Sequence, residues 1–220
     1  HLSTTLRQQE GYSMNENLKL TSPRGRFIYP HLNKPDTKFN PDGEYKLTLS
    51  LTSEESTNLL KALEEQIELS KKDAEDRAKG KKVKVADPPY SINEEDGNYQ
   101  FKFKLKAKAK SSKTGNEWEQ KPAIFDSELK PLSPEKQIWG GTEGKVSFEV
   151  IRYFVPLTGA GISLRLKAVQ ILELVEGSGG DGSKFGFKEE QGYKSDTALE
   201  EAVKEIHHES MSDEEVQDDF

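Results

Sequence analysis

Two groups of residues in this chain have types and spacing that could do chemistry, and both point to the binding of charged polymers. The first is Tyr99-Gln-Phe-Lys-Phe-Lys-Leu-Lys-Ala-Lys-Ala-Lys110, which alternates apolar and basic residues without a break. Read as one β-strand, it sets Tyr99, Phe101, Phe103, Leu105, Ala107 and Ala109 on one face, and Lys102, Lys104, Lys106, Lys108 and Lys110 on the other. At ~3.3 Å per residue the five ammonium groups would span roughly 26 Å. As a helix the same residues would scatter their charge around the axis and form no useful face. Lysine on an exposed strand also guards against edge-to-edge aggregation. Five in unbroken alternation exceed that need, because neighbouring ammoniums repel and a polyanion repays the cost.

The second group is the C-terminal run Ser210-Met-Ser-Asp-Glu-Glu-Val-Gln-Asp-Asp-Phe220. Seven carboxylates and no Lys or Arg come after Lys204, which accounts for the whole formal net charge of −7. Asp213, Glu214, Glu215, Asp218, Asp219 and the terminal Phe220 form an acidic segment with an aromatic anchor. A tethered polyanion on a body with its own cationic strand can compete with nucleic acid for the same surface. The same composition also suits a tail that does no more than solubilise.

Other chemistries find little support. With no Cys there are no disulfides, thiolate metal sites or cysteine nucleophiles, which fits a reducing cytoplasm. His207-His208 lies in an acidic segment, and adjacent histidines diverge on a helix, so no metal is expected there. The tail lacks the Gly turn and ligand spacing of a calcium loop. No phosphate-binding P-loop occurs, and Gly159-Ala-Gly161 reads as a strand-connecting turn. No Ser/His/Asp grouping stands out. The chain is therefore read as a non-enzyme without cofactors. No apolar run approaches the ~20 residues of a membrane span, and no secretory signal is visible.

The elements that must position these groups are mostly strands. Hydrophobic residues make up 32% of the 220 residues and charged residues another 32%, so the core must be modest. Residues 1–13 look unrelated to the rest of the chain and read as an expression-vector remnant before Met14. Arg24-Gly-Arg-Phe-Ile-Tyr29 reads as a strand with Arg24 and Arg26 at its mouth, and Tyr45–Leu51 as a half-buried one. Thr52-Ser-Glu-Glu55 has the form of a capping box for a helix ending near Gly80, with Leu59, Leu60, Leu63, Ile67, Ala74 and Ala78 on one face. Ser111–Asn116 predicts a hairpin turn, and Lys145–Val155 and Ile162–Val175 two further long strands. About six strands, one helix after the second and no βαβ rhythm predict a mainly β, antiparallel barrel or sandwich over residues 14–176. Residues 177–195 read as a flexible Gly-rich linker by composition, and 196–220 as a short helix leading into the acidic tail.

Candidate phosphate contacts are thus Lys102 to Lys110, extended by Arg24, Arg26, Arg152 and the basic loop Lys81-Lys82-Val-Lys84. Single-strand binders also need aromatic platforms. Tyr29, Phe39, Tyr90, Trp118, Trp139, Tyr153 and Phe154 are candidates. Trp118 and Trp139 are favoured for their loop positions, while Phe101 and Phe103 are assigned to the core.

The order of these features resembles the bacteriophage replication single-stranded-DNA-binding proteins of the T-seven type. The residues that carry the likeness are Phe101-Lys-Phe-Lys104, Phe125-Asp-Ser127, Gly140-Gly141, Val155-Pro156, Gly161-Ile-Ser-Leu-Arg-Leu166, Leu172-Glu-Leu174, Gly192-Tyr193 and the ending Asp219-Phe220. The resemblance implies an OB-fold barrel with an inserted helix, a cationic groove for single-stranded DNA in the infected host's cytoplasm, and a mobile tail. That tail would dock onto DNA polymerase and primase-helicase and shield the groove when DNA is absent. Lys102 and Lys104 match basic positions of the family, and Phe220 its terminal aromatic. The strand after Gly140-Gly141 departs from the family by reading Lys145-Val-Ser-Phe-Glu149, which shifts the expected contacts toward the Lys102–Lys110 strand and Arg152. Two other readings stay open on the residues alone: a protein-interaction adaptor and a duplex-DNA architectural protein, since a lysine track binds either kind of DNA backbone. The linker is long enough to allow a homodimer with exchanged tails, although no residue requires one.

Overall fold

A computed structural model of the chain describes residues 17–175. Residues 1–16 and 176–220, on which the expectations of an N-terminal remnant, a Gly-rich linker, a short helix and an acidic tail fall, lie outside the described residues. The described part contains strands β1 (Leu18–Thr21), β2 (Gly25–Asp36), β3 (Glu44–Leu51), β4 (Tyr90–Ile92), β5 (Tyr99–Lys106), β6 (Lys108–Lys110), β7 (Glu117–Glu119), β8 (Ala123–Phe125), β9 (Glu143–Val155) and β10 (Gly159–Glu173). Helix α1 (Ser53–Arg77) joins β3 to β4.

Alternation decides which way each strand faces. Tyr45, Leu47, Leu49 and Leu51 of β3 and Phe101, Phe103 and Leu105 of β5 are buried, and the antiparallel register sets Leu47 beside Phe103 and Leu49 beside Phe101. Phe103 meets Phe148 of β9 with ring centroids 4.9 Å apart and planes tilted by 59°, a favourable edge-on geometry. Leu164 and Leu166 of β10 complete the layer with no exposed surface.

The strands run β9-β2-β3-β5-β10, and β10 pairs with β9 again, so the sheet closes on itself. Most pairings are antiparallel, as the hairpins predict. The one that closes the barrel, β5 with β10, is parallel, at Leu164 beside Phe103 and Arg165 beside Lys104. Five strands in this order, with a parallel closing pair, are the arrangement of an OB-fold. β1 extends the sheet along β9, and β8 lies parallel to β10.

One sequence expectation needs correction. The lysine strand does not run unbroken from Tyr99 to Lys110. Its partner β3 begins at Glu44, which pairs with Lys106, and the bonding between the two segments stops one residue further on. The Ala107 N–H turns to the Gly43 carbonyl at 2.9 Å, and the Ala107 carbonyl accepts the Gln120 N–H at 2.9 Å. Beyond that point Lys108–Lys110 belongs to a separate two-stranded hairpin with β7. Lys102, Lys104 and Lys106 therefore share a strand, whereas Lys108 and Lys110 sit on the hairpin.

Helix α1 starts where the capping box predicts. The Glu55 N–H donates to Thr52 Oγ1 at 3.2 Å, and the Thr52 N–H donates to Glu55 Oε2 at 2.9 Å, satisfying two otherwise free amides. Leu59, Leu63 and Ala74 are buried against the barrel, with Leu60 and Ile67 partly so. The helix ends at Arg77, and the Gly80 N–H reaches back to the Glu75 carbonyl at 2.9 Å. At the far end of the β9–β10 pair, Gly159 has φ +106, and a Cβ there would come within 2.2 Å of the Lys84 carbonyl oxygen, so only glycine fits this turn.

Thr52→Ala should lower unfolding free energy by about 1 kcal/mol, the usual worth of an N-cap hydroxyl. Urea denaturation checks this, with the midpoint expected to fall while the slope is retained. An unmoved midpoint would show that tertiary packing alone fixes the start of α1.

Candidate nucleic-acid interface

The register that buries Phe101, Phe103 and Leu105 turns Lys102, Lys104 and Lys106 outward, all three exposed. β3 sets Thr48 beside Lys102, Lys46 beside Lys104 and Glu44 beside Lys106. On the other flank the parallel pairing sets Arg165 beside Lys104. The barrel face made by β3, β5 and β10 thus carries six cations, Lys46, Lys102, Lys104, Lys106, Arg165 and Lys167, of which Lys46, Arg165 and Lys167 were not singled out from sequence. The signal for Lys46 and Arg165 was present in the alternation of Tyr45–Leu51 and Ile162–Leu166. What sequence lacked was the pairing that sets these two beside Lys104.

These cations differ in how they are held. Arg165 pairs with Glu149 at 3.4 Å. Lys46 forms an ion pair with Asp36 and lies over the Phe39 ring, 6.0 Å from its centroid. The Lys46 hydrogen bond, assisted by the Lys38 backbone N–H, holds the Asp36 carboxyl below the usual carboxylate range. Folded-state stability drawn from this pair is therefore present at neutral pH and is lost as pH falls through the lowered Asp36 value. Lys102, Lys104 and Lys106 make no ion pair among the described residues. Spaced two residues apart, adjacent ammoniums repel by about 0.6 kcal/mol in water at ~6.6 Å, and by more beside a low-dielectric surface. Among the described residues Glu44, beside Lys106 in the β3–β5 register, is the carboxylate nearest the row in the ladder, and it forms no ion pair with it.

Two adjoining grooves cover this face. The larger, of about 900 Å³, is lined by Lys46, Lys102 and Lys104, with Tyr29, Tyr153 and Val155 among its apolar walls. The second, of about 720 Å³, shares Lys104 and Lys106 and runs on to Lys108, Lys110 and Trp118. On the hairpin, Lys108 lies 3.8 Å from Asp42 and Lys110 3.5 Å from Glu117, so these two are charge-paired, unlike the β5 row. Trp118 is half exposed at that end of the trough.

The remaining candidates lie elsewhere. Arg152 belongs to the opposite face of β9 from Tyr153, and its Nε lies 3.5 Å from Asp73 of α1. Arg24 is bound by Glu143 at 2.6 Å and Glu173 at 3.5 Å, and Arg26 lies beside Glu143 in the β2–β9 register. Trp139 is exposed in the loop before β9, and Lys81, Lys82 and Lys84 lie in the loop after α1. None of these residues lines either groove. Tyr90 packs on Phe101 at 5.7 Å and belongs with the core.

The family model of the single-stranded DNA-binding protein of bacteriophage T7 matches residues 26–174. The crystal structure of gp2.5, a single-stranded DNA-binding protein encoded by bacteriophage T7, superposes with a TM-score of 0.66 at 25% identity, covering 82% of this chain and all (100%) of that one. The single-stranded DNA-binding protein from bacteriophage Enc34, solved in complex with ssDNA, shares the fold with a TM-score of 0.53 at 20% identity, over 72% of this chain and 88% of that one. No curated protein sequence matches the chain. The family match spans the closed barrel, its inserted helix and every strand of the cationic face, and so the chain belongs to the bacteriophage T7 family of single-stranded DNA-binding proteins.

Proposed function

We propose that this protein coats single-stranded DNA with little sequence preference, through the outer face of β3, β5 and β10, in phage DNA replication. The observation that carries this reading is the row Lys102, Lys104 and Lys106, exposed and without an ion pair among the described residues, on the strand pair that OB-folds offer to oligonucleotides. Ammonium groups neutralise phosphates and release condensed counterions, which gives affinity without reading sequence. Aromatic rings in the same trough add stacking that every base can satisfy. Membership of a single-stranded DNA-binding family supports this reading over the adaptor and the duplex-binding one.

The acidic tail extends the proposal. Asp213, Glu214, Glu215, Asp218, Asp219 and Phe220 recruit replication enzymes, polymerase and primase-helicase, through charge and the terminal ring. Because the tail is tethered, its carboxylates meet the lysine face at high effective concentration whenever DNA leaves. DNA must then displace a competitor that the protein carries with it.

Salt titration of oligo-dT binding tests the phosphate row. Lys102→Ala/Lys104→Ala/Lys106→Ala should flatten the log affinity against log salt plot by about 2, at ~0.7 per phosphate contact on a single strand. A slope equal to wild type would place the phosphates elsewhere. Truncation after Ser210 should tighten oligo-dT binding and abolish co-purification of polymerase and primase-helicase. Unchanged DNA affinity would remove the competing role of the tail while leaving recruitment to be judged by the second readout.

A further inference from the structure

A row of lysines binds the backbone of duplex and single-stranded DNA alike, so selectivity between them must come from another part of the trough. Its apolar end carries a feature that the lysines do not explain. Tyr29 sits where the β2–β3 register shifts between Ile28 and His31, and its φ is +48. Left-handed backbone is costly for a bulky residue, and the adjoining Pro30 biases this position further toward extended backbone. The ring does not recover that cost by burial, being 81% exposed. Strain held at an exposed aromatic, on the wall of a groove, points to use rather than packing.

Tyr153 lines the same groove from β9, and its backbone is held from below. The buried Ser70 of α1 directs its hydroxyl at the Tyr153 and Gly161 carbonyl oxygens, at 3.0 and 2.8 Å. Gly161 is the cross-strand partner of Tyr153, and a Cβ there would come within 2.9 Å of the tyrosine hydroxyl. The missing side chain is thus the seat of the Tyr153 ring. Tyr90 and Tyr99 both pack on Phe101, but Tyr29 and Tyr153 have no aromatic partner among the described residues.

We infer that Tyr29 and Tyr153 form a seat for an unpaired base, and that this aromatic seat, not the lysine row, makes the trough select single-stranded over duplex DNA. Bases stacked in a duplex have no free face to offer, whereas an unpaired base exposes both. Ser70 and Gly161 act as positioning residues for Tyr153, and the left-handed backbone at residue 29 holds the other ring up. This inference rests on the proposed reading of the trough as a DNA site.

The test compares labelled oligo-dT with a hairpin duplex, by anisotropy, for wild type, Tyr29→Gly, Tyr29→Phe, Tyr153→Leu and the triple lysine variant. Glycine adopts positive φ freely, so Tyr29→Gly should fold with an unchanged or raised Tm while single-strand affinity falls ~5- to 150-fold, the range for losing one stacked base. Duplex affinity should stay at the wild-type level, and Tyr29→Phe should keep both. Tyr153→Leu should lose single-strand affinity in the same way, and the triple lysine variant should weaken both ligands together. Tyr29→Gly and Tyr153→Leu proteins that fold and retain the wild-type preference for single strands would overturn the inference. A wild-type protein that binds neither ligand would instead overturn the DNA-site reading on which it stands.

Discussion

The register between β3 and β5 is the constraint on which the rest depends. Leu47 beside Phe103 and Leu49 beside Phe101 bury a continuous apolar row, at ~1.5–3 kcal/mol for each large side chain taken out of water. A slip of one residue would expose that row and turn Lys102, Lys104 and Lys106 into the core, where each unpaired ammonium would cost several kcal/mol. The two penalties act together, so the pairing admits one solution. The cationic face is thereby a by-product of core burial: the same alternation that hides the phenylalanines holds the ammoniums in a line. The cationic face is thus set by core burial rather than by a stabilising interaction of its own.

Closure by β10 carries this order around the barrel. Its parallel pairing to β5 brings Arg165 beside Lys104, and its long antiparallel pairing to β9 carries Tyr153 to the groove wall. Helix α1 is more than a lid on this frame. Its capping box fixes where it begins immediately after β3, and further along the same helix Ser70 reaches carbonyls on both β9 and β10. Helix, strand pair and groove wall are thus mechanically joined on one side, while the ammonium groups of Lys102, Lys104 and Lys106 form no ion pair among the described residues.

Much of this was legible in the sequence where a local rule decides the outcome. Alternation at Tyr45–Leu51 and Tyr99–Lys106 gave the buried and exposed faces, and Thr52 with Glu55 gave the start of α1. The run of lysines misled beyond Ala107, because alternation reports the facing of a strand and not whether a partner remains to pair with it. Arg24, Arg26 and Arg152 are ordinary strand cations in sequence, and the carboxylates that hold Arg24 and Arg152 arrive from distant segments. Lys46, Arg165 and Tyr153 owe their positions to long-range register, and Tyr29 to a bulge whose backbone angle no pattern announces. Trp139 is an exposed tryptophan in a loop that reads as a stacking platform in sequence, and it lines neither groove.

The central claim is that the outer face of β3, β5 and β10 is where single-stranded DNA lies. Lysine footprinting addresses it directly: amine modification of the full chain with and without saturating oligo-dT, read residue by residue by mass spectrometry. Protection is expected at Lys46, Lys102, Lys104 and Lys106, with Lys19 and Lys145, which line neither groove, equally reactive in both states. Protection of Lys19 and Lys145 with an unprotected β5 row would contradict the account and move the DNA to another side of the barrel.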